Sequence, residues 1–142
     1  MTTSRRAFVV LVCAAAVGCG GSGGISAPKT APVSGTVLVK GKPAAGVKVT
    51  FHPQFDMGAV KFTPNGETNK EGRFTLNTAA AGTGAPPGGY AVTFELLRGG
   101  TDKNGQDVEV DVWKGKYADP ARSSFKVTIE DGDNALEPFK LD

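Results

Sequence analysis

Cysteine is almost missing from this 142-residue chain: there are two, Cys13 and Cys19, both close to the amino terminus. Everything after Cys19 must therefore fold by packing alone, with no disulfide and no thiolate for a zinc site. Histidine is scarcer still, and His52 is the sole example. A multi-histidine metal centre is excluded, and His52, in Phe51-His52-Pro53 at a strand end, lacks partners in the sequence for a nucleophile triad. No metal site and no cofactor are expected. Long apolar runs are absent as well. The longest, Ala7 to Val17, falls short of the roughly 20 residues that a membrane-spanning helix needs. After Ala16 no stretch of ten residues carries a helical apolar stripe. Sixteen Lys and Arg face fourteen Asp and Glu, and two of the sixteen, Arg5 and Arg6, precede Cys19. The remainder is near neutral, which leaves no basis for a nucleic-acid partner or an anionic surface.

What the amino terminus does have reads as an export signal. Ser4-Arg5-Arg6 precedes the apolar run, and Gly18-Cys19-Gly20-Gly21 follows it. Basic residues, about ten apolar residues and small residues at a cut site make up such a signal. Ala16-Val17-Gly18-Cys19 resembles the bacterial lipobox, in which a diacylglycerol is joined to the cysteine and cleavage leaves that cysteine first. Ala16 stands where leucine is commonest. Residues 1–18 are thus expected to be a lipoprotein signal peptide, with Cys19 the lipidated anchor to the membrane. Ser4-Arg5-Arg6-Ala7-Phe8 also resembles a twin-arginine export motif, although Val10 replaces its lysine; an ordinary basic n-region accounts for the same residues. Residues 19–32 read as the lipidated cysteine and a flexible Gly/Ser/Pro tether. Gly20 after the cysteine leans, by analogy with enteric sorting, toward the outer membrane of a bacterial envelope.

From Val33 to Asp142 the pattern is strand, turn, strand, in one domain large enough to bury a core. Val47, Val49 and Phe51 alternate with Lys48 and Thr50, and Tyr90, Val92, Phe94 and Leu96 give the longest clean alternation. Val33 to Lys40 reads as a strand meeting a turn at Gly41-Lys42-Pro43. Ala59 to Phe62 reads as a weaker strand ended by Pro64-Asn65-Gly66. Glu67 to Leu76 reads as a hairpin turning at Gly72, which supplies positive φ. Pro86-Pro87-Gly88-Gly89 reads as a stiff turn and Arg98 to Gln106 as a polar loop. Val108, Val110 and Val112 alternate with Asp107, Glu109 and Asp111 in a half-exposed strand. Phe125, Val127 and Ile129 form another, and Phe139 and Leu141 close the chain. The fold expected is all-β: a single antiparallel Greek-key sandwich of about seven strands.

The order Val33-x-Gly35-x-Val37, Gly41-x-Pro43-x-x-Gly46-Val47-x-Val49-x-Phe51 resembles the carboxypeptidase regulatory-like domain of the transthyretin-like superfamily. Thr68-x-x-x-Gly72-x-Phe74-x-Leu76 and Pro87-Gly88-Gly89-Tyr90-x-Val92 are similar to its next two motifs. Tyr117-x-x-Pro120, Ser123/Ser124 and Asp133-Asn134 through Leu141 resemble its closing segment in small envelope lipoproteins of planctomycete-type bacteria. The resemblance implies a prealbumin-like sandwich and a non-catalytic accessory or adhesion-type module. The related hydrolase of purine catabolism ends in Tyr-Arg-Gly-Ser, whereas this chain ends Phe139-Lys140-Leu141-Asp142, so its activity does not carry over. Ala85 to Tyr90 is also similar to a motif of collagen-adhesin B-type repeats. Gly82 holds the place of their assisting glutamate, so no isopeptide bond is expected.

Three further groups bear on function. Asp102-Lys103-Asn104-Gly105-Gln106-Asp107 and the Asp131/Asp133 turn are oxygen-rich enough to suggest calcium, but Lys103 and the missing downstream glutamate favour solvated turns. Trp113 and Tyr117, beside Lys114 and Lys116, are candidate binding residues for a glycan or protein; Trp113 capping the core is the competing reading. The function expected is a non-enzymatic, lipid-anchored envelope module that binds a protein or polysaccharide. A structural spacer, or a hydrolase with a site near His52, are the alternatives.

Overall fold

The computed structural model describes residues 27–59 and 61–142. The expected signal, Cys19 and the first part of the tether lie outside them. Among the described residues eleven strands form: β1 (Val33–Val39), β2 (Lys42–Pro43), β3 (Lys48–Pro53), β4 (Asn65–Glu67), β5 (Arg73–Thr75), β6 (Gly88–Glu95), β7 (Leu97–Thr101), β8 (Asp107–Asp111), β9 (Lys126–Ile129), β10 (Asn134–Ala135) and β11 (Phe139–Leu141). The architecture is the all-β sandwich that the alternation implies. One sheet is built around β1, and the other has the antiparallel order β4-β3-β6-β9. The count exceeds seven because several strands are only two or three residues long. Two pairings, β1 with β10 and β1 with β11, are parallel. The closing segment returns along β1 in the same direction, while β2 and β5 pair with it antiparallel.

The alternating residues do what their period requires. Val47, Val49 and Phe51 of the β3 segment and Tyr90, Val92 and Phe94 of β6 are fully buried and face Phe74, Phe139 and Leu141 of the opposite sheet. Each such side chain contributes roughly 1.5–3 kcal/mol by leaving water, which is how the core holds without a disulfide. Aromatic rings knit the two sheets: Phe94 meets Phe139 at 5.2 Å and Phe51 meets Phe74 at 6.3 Å, while on the β3–β6–β9 side Phe51 meets Tyr90 at 5.8 Å and Phe94 meets Phe125 edge-on at 5.2 Å. The Tyr90 hydroxyl, buried with its ring, donates to the Pro86 carbonyl at 2.6 Å.

Five local expectations change. Residues 61–64 form no strand; the strand falls instead on Asn65–Glu67, where a turn was expected. Gly66 is there for close approach, because its Cα lies against the Thr75 carbonyl and leaves no room for a Cβ. The Glu67–Leu76 stretch does turn at Asn69 to Gly72, with Gly72 at φ 72° and its N–H donating to the Asn69 carbonyl at 2.9 Å. Its two arms, however, join different sheets, β4 pairing with β3 and β5 with β1. The element is a corner between layers. Gly88 and Gly89 already belong to β6 rather than to a turn. The polar Arg98–Gln106 stretch contains β7, which pairs with β8 in a separate two-stranded ribbon. At the amino-terminal boundary the fold begins before Val33: Ala31 is buried and exchanges both backbone hydrogen bonds with Ala85.

Candidate binding surface

Where β6 gives way to the ribbon, one carboxylate organises the chain. Asp111 Oδ1 accepts from the backbone N–H of Leu96 at 3.0 Å and of Trp113 at 3.2 Å, and Oδ2 accepts from Gly115 at 2.7 Å. Lys114 and Gly115 both adopt positive φ, so the chain reverses tightly just after Trp113. Val112 donates to the Leu96 carbonyl at 2.8 Å and extends the ribbon ladder by one residue. Trp113 is thereby placed at the base of the ribbon rather than along it.

The two candidate residues come together. The Trp113 ring meets Tyr117 edge-on, with centroids 5.4 Å apart. Tyr117 is tilted on Phe125 at 6.3 Å, and Phe125 packs edge-on against Phe139 at 5.9 Å. A continuous line of aromatic rings thus runs from the surface into the core. Both readings of Trp113 hold in part: it is half-buried against the core, and its neighbour Val112 is 50 % exposed, as Val110 is 48 % exposed. The Tyr117 hydroxyl donates to the Asp142 carbonyl at 3.0 Å and accepts from the Asp142 N–H at 3.1 Å. Lys116 Nζ lies 4.8 Å from the Tyr117 ring centroid, and the Tyr117 hydroxyl beside it raises the ammonium's pKa above its ordinary value. The corner therefore offers an aromatic ledge, an exposed aliphatic stripe and a cation.

His52 sits on the outer side of β3. Its Nε2 lies 2.8 Å from Thr93 Oγ1, and Thr93 is only 3 % exposed. Burial lowers the imidazole pKa, opposed by the Glu95 carboxylate. The His52–Thr93 contact ties β3 to β6 from one strand to the next. The oxygen-rich loop is likewise committed internally. Asp102 Oδ1 accepts from the backbone N–H groups of Asn104 at 2.8 Å and Gln106 at 2.9 Å, and these bonds, with that from Gln106 the stronger, hold its carboxyl below the usual range. Among the described residues no three His, Cys, Asp or Glu side chains gather as metal ligands. Asn134 spends its side-chain amide on the Glu130 and Gly132 carbonyls, both at 2.9 Å.

Sequence reasoning missed an open groove of about 640 Å³ on the outer face of β1 and β5, where Arg73, Glu67 and Asn69 surround the hydroxyls of Ser34, Thr36 and Thr75. It missed the role of Asp111 too, although an acid followed two residues later by the lone tryptophan was a usable signal.

No protein-family model matches the chain, and no curated protein matches it. Two solved structures are similar in part. A candidate carbohydrate-binding protein from Pseudomonas aeruginosa is 12% identical, with 81% of this chain and 90% of that one covered and a TM-score of 0.46. A 9R-lipoxygenase from Cyanothece is 15% identical, with 80% of this chain covered and a TM-score of 0.44; the match spans 16% of the lipoxygenase's length.

Proposed function

We propose that this chain is a non-catalytic β-sandwich module of the carboxypeptidase regulatory-like kind, exported and lipid-anchored in a bacterial envelope through Cys19, which binds a neighbouring protein or polysaccharide at the Trp113–Tyr117 corner. One observation carries the reading of the site: the edge-on Trp113–Tyr117 pair at 5.4 Å opens beside the exposed Val112. A half-exposed aliphatic stripe next to aromatic rings on a rigid frame is how interaction sites are built. The burial of Thr93 behind His52 supports the non-catalytic part. The anchor and the export route rest on residues 1–19 of the sequence alone.

The test is a photo-crosslinking amino acid placed at Val112 in the full chain, produced in cells. A discrete adduct whose yield falls when Trp113 is replaced by alanine supports the module. Loss of neither adduct nor yield in that variant overturns the assignment of the site. The absence of any discrete adduct favours the spacer.

A further inference from the structure

Two of the sheet edges left unpaired among the described residues, those of β8 and β9, are opposite in chemistry. Among the described residues β8 pairs only with β7, and β9 only with β6. Val112 donates its N–H to Leu96 of the inner strand, so by strand alternation the even residues of β8 face β7. The backbone groups of Asp107 and Glu109 then point to the free edge. On β9 the Phe125 carbonyl accepts from Val92, so the backbone groups of Lys126 and Thr128 point to the other free edge. That second edge borders an open groove of about 820 Å³ between the two sheets, lined by apolar residues that include Phe125, Val127 and Phe139, and by the charges of Lys126, Lys140 and Glu137.

We infer that β8 of one copy docks antiparallel on the β9 edge of a second copy, building head-to-tail assemblies. This goes beyond the Trp113 site and shares with it only Val110 of the aliphatic stripe. In the register that sets Glu109 opposite Lys126, Asp107 falls opposite Thr128. On the other face Val108 meets Val127, and the exposed Val110 meets Phe125 at the mouth of the groove. Free-edge backbone groups, charges and apolar side chains all match in that alignment, and directly opposed pairs of these kinds stabilise a sheet. Pairing of β8 with its own copy fails the same test. Every register that joins its free-edge groups sets Asp or Glu against Asp or Glu. Because the two surfaces differ, the contact is heterologous and propagates into chains or closes into rings.

The experiment is sedimentation velocity of the full chain in a density-matched neutral detergent, over a tenfold range of concentration and at low and high salt. Association at low salt is expected, weakened at high salt. Glu109→Lys and Lys126→Glu, each alone, should weaken association about tenfold or more through like-charge opposition. An equimolar mixture of the two variants should restore it, because each then offers an edge of the sign that the other needs. Both positions are exposed, so neither exchange threatens the fold. A wild type that stays monomeric throughout, single variants that associate as wild type does, or a mixture that fails to recover would each overturn the inference.

Discussion

The backbone N–H of Trp113 is held by the side chain of Asp111, two residues earlier, at 3.2 Å, and the same oxygen takes the N–H of Leu96 at 3.0 Å. The end of β6, the end of β8 and the candidate binding corner are thus fixed by one carboxylate.

Replacing Asp111 by alanine strands those donors at a partly shielded position. A hydrogen bond to a charged group contributes about 1.5–3 kcal/mol when buried. Solvent competes at this site, so a loss of about 1–2 kcal/mol is expected. Thermal unfolding should show a midpoint lower by roughly 5–10 °C. Trp113 fluorescence should shift to the red in the folded variant. An unchanged spectrum would mean that the ring is placed by packing alone.

Gly66 tests the corner between the sheets. A Cβ there meets the Thr75 carbonyl, which is backbone and cannot rotate away. Gly66→Ala is expected to destabilise by about 1–3 kcal/mol, the range for overpacking, measurable as a lower urea midpoint. A neutral effect would show that β4 and β5 lie farther apart than described.

Two groups set limbs of the pH–stability curve. Burial pushes the Tyr90 hydroxyl up to about 12. Below pH 10 the folded and unfolded chains both hold that proton. Above it the unfolded chain loses the proton first, so stability falls as pH rises from 10 toward 12. Burial also lowers the His52 pKa below 6.5. The unfolded chain therefore takes up a proton first as the medium is acidified, and stability falls as pH drops below that value. Denaturant titrations at a series of pH values should show Tyr90→Phe flattening the alkaline limb and His52→Gln flattening part of the acid one.

Cys19→Ser addresses the anchor. If the thiol carries lipid, the variant incorporates no labelled palmitate and leaves the membrane fraction for the soluble one, while wild type does neither. Equal partitioning of the two forms would remove the anchor from the account.

Much of this fold was legible because period-two alternation is a strong signal where one face is buried. Val47-Val49-Phe51, Tyr90-Val92-Phe94 and Val127-Ile129 all lie where that rule puts them. It failed at Asn65-Gly66, where a turn-like dipeptide serves a close backbone approach instead. It failed again at Arg98–Thr101, whose polar and glycine residues pair in a solvated ribbon with no buried face to mark them. The Trp113–Tyr117 pair could be named from the sequence, since both are large aromatics near lysines in a loop. The local Asp111–Trp113 contact was signalled by the acid two residues before the tryptophan, but the tie through Asp111 to Leu96 was not, because Leu96 lies fifteen residues away in the chain. The complementary edges of β8 and β9 became visible only once pairing showed which backbone groups stay free.

The most direct test of the central claim is crosslinking of the membrane-tethered protein in cells, wild type against Trp113→Ala, with attached molecules identified by mass spectrometry and fold checked by thermal unfolding. A module that binds through this corner yields one reproducible neighbour, which is lost in the variant while the fold survives. Crosslinks scattered over abundant envelope proteins, the same in both forms, would contradict it.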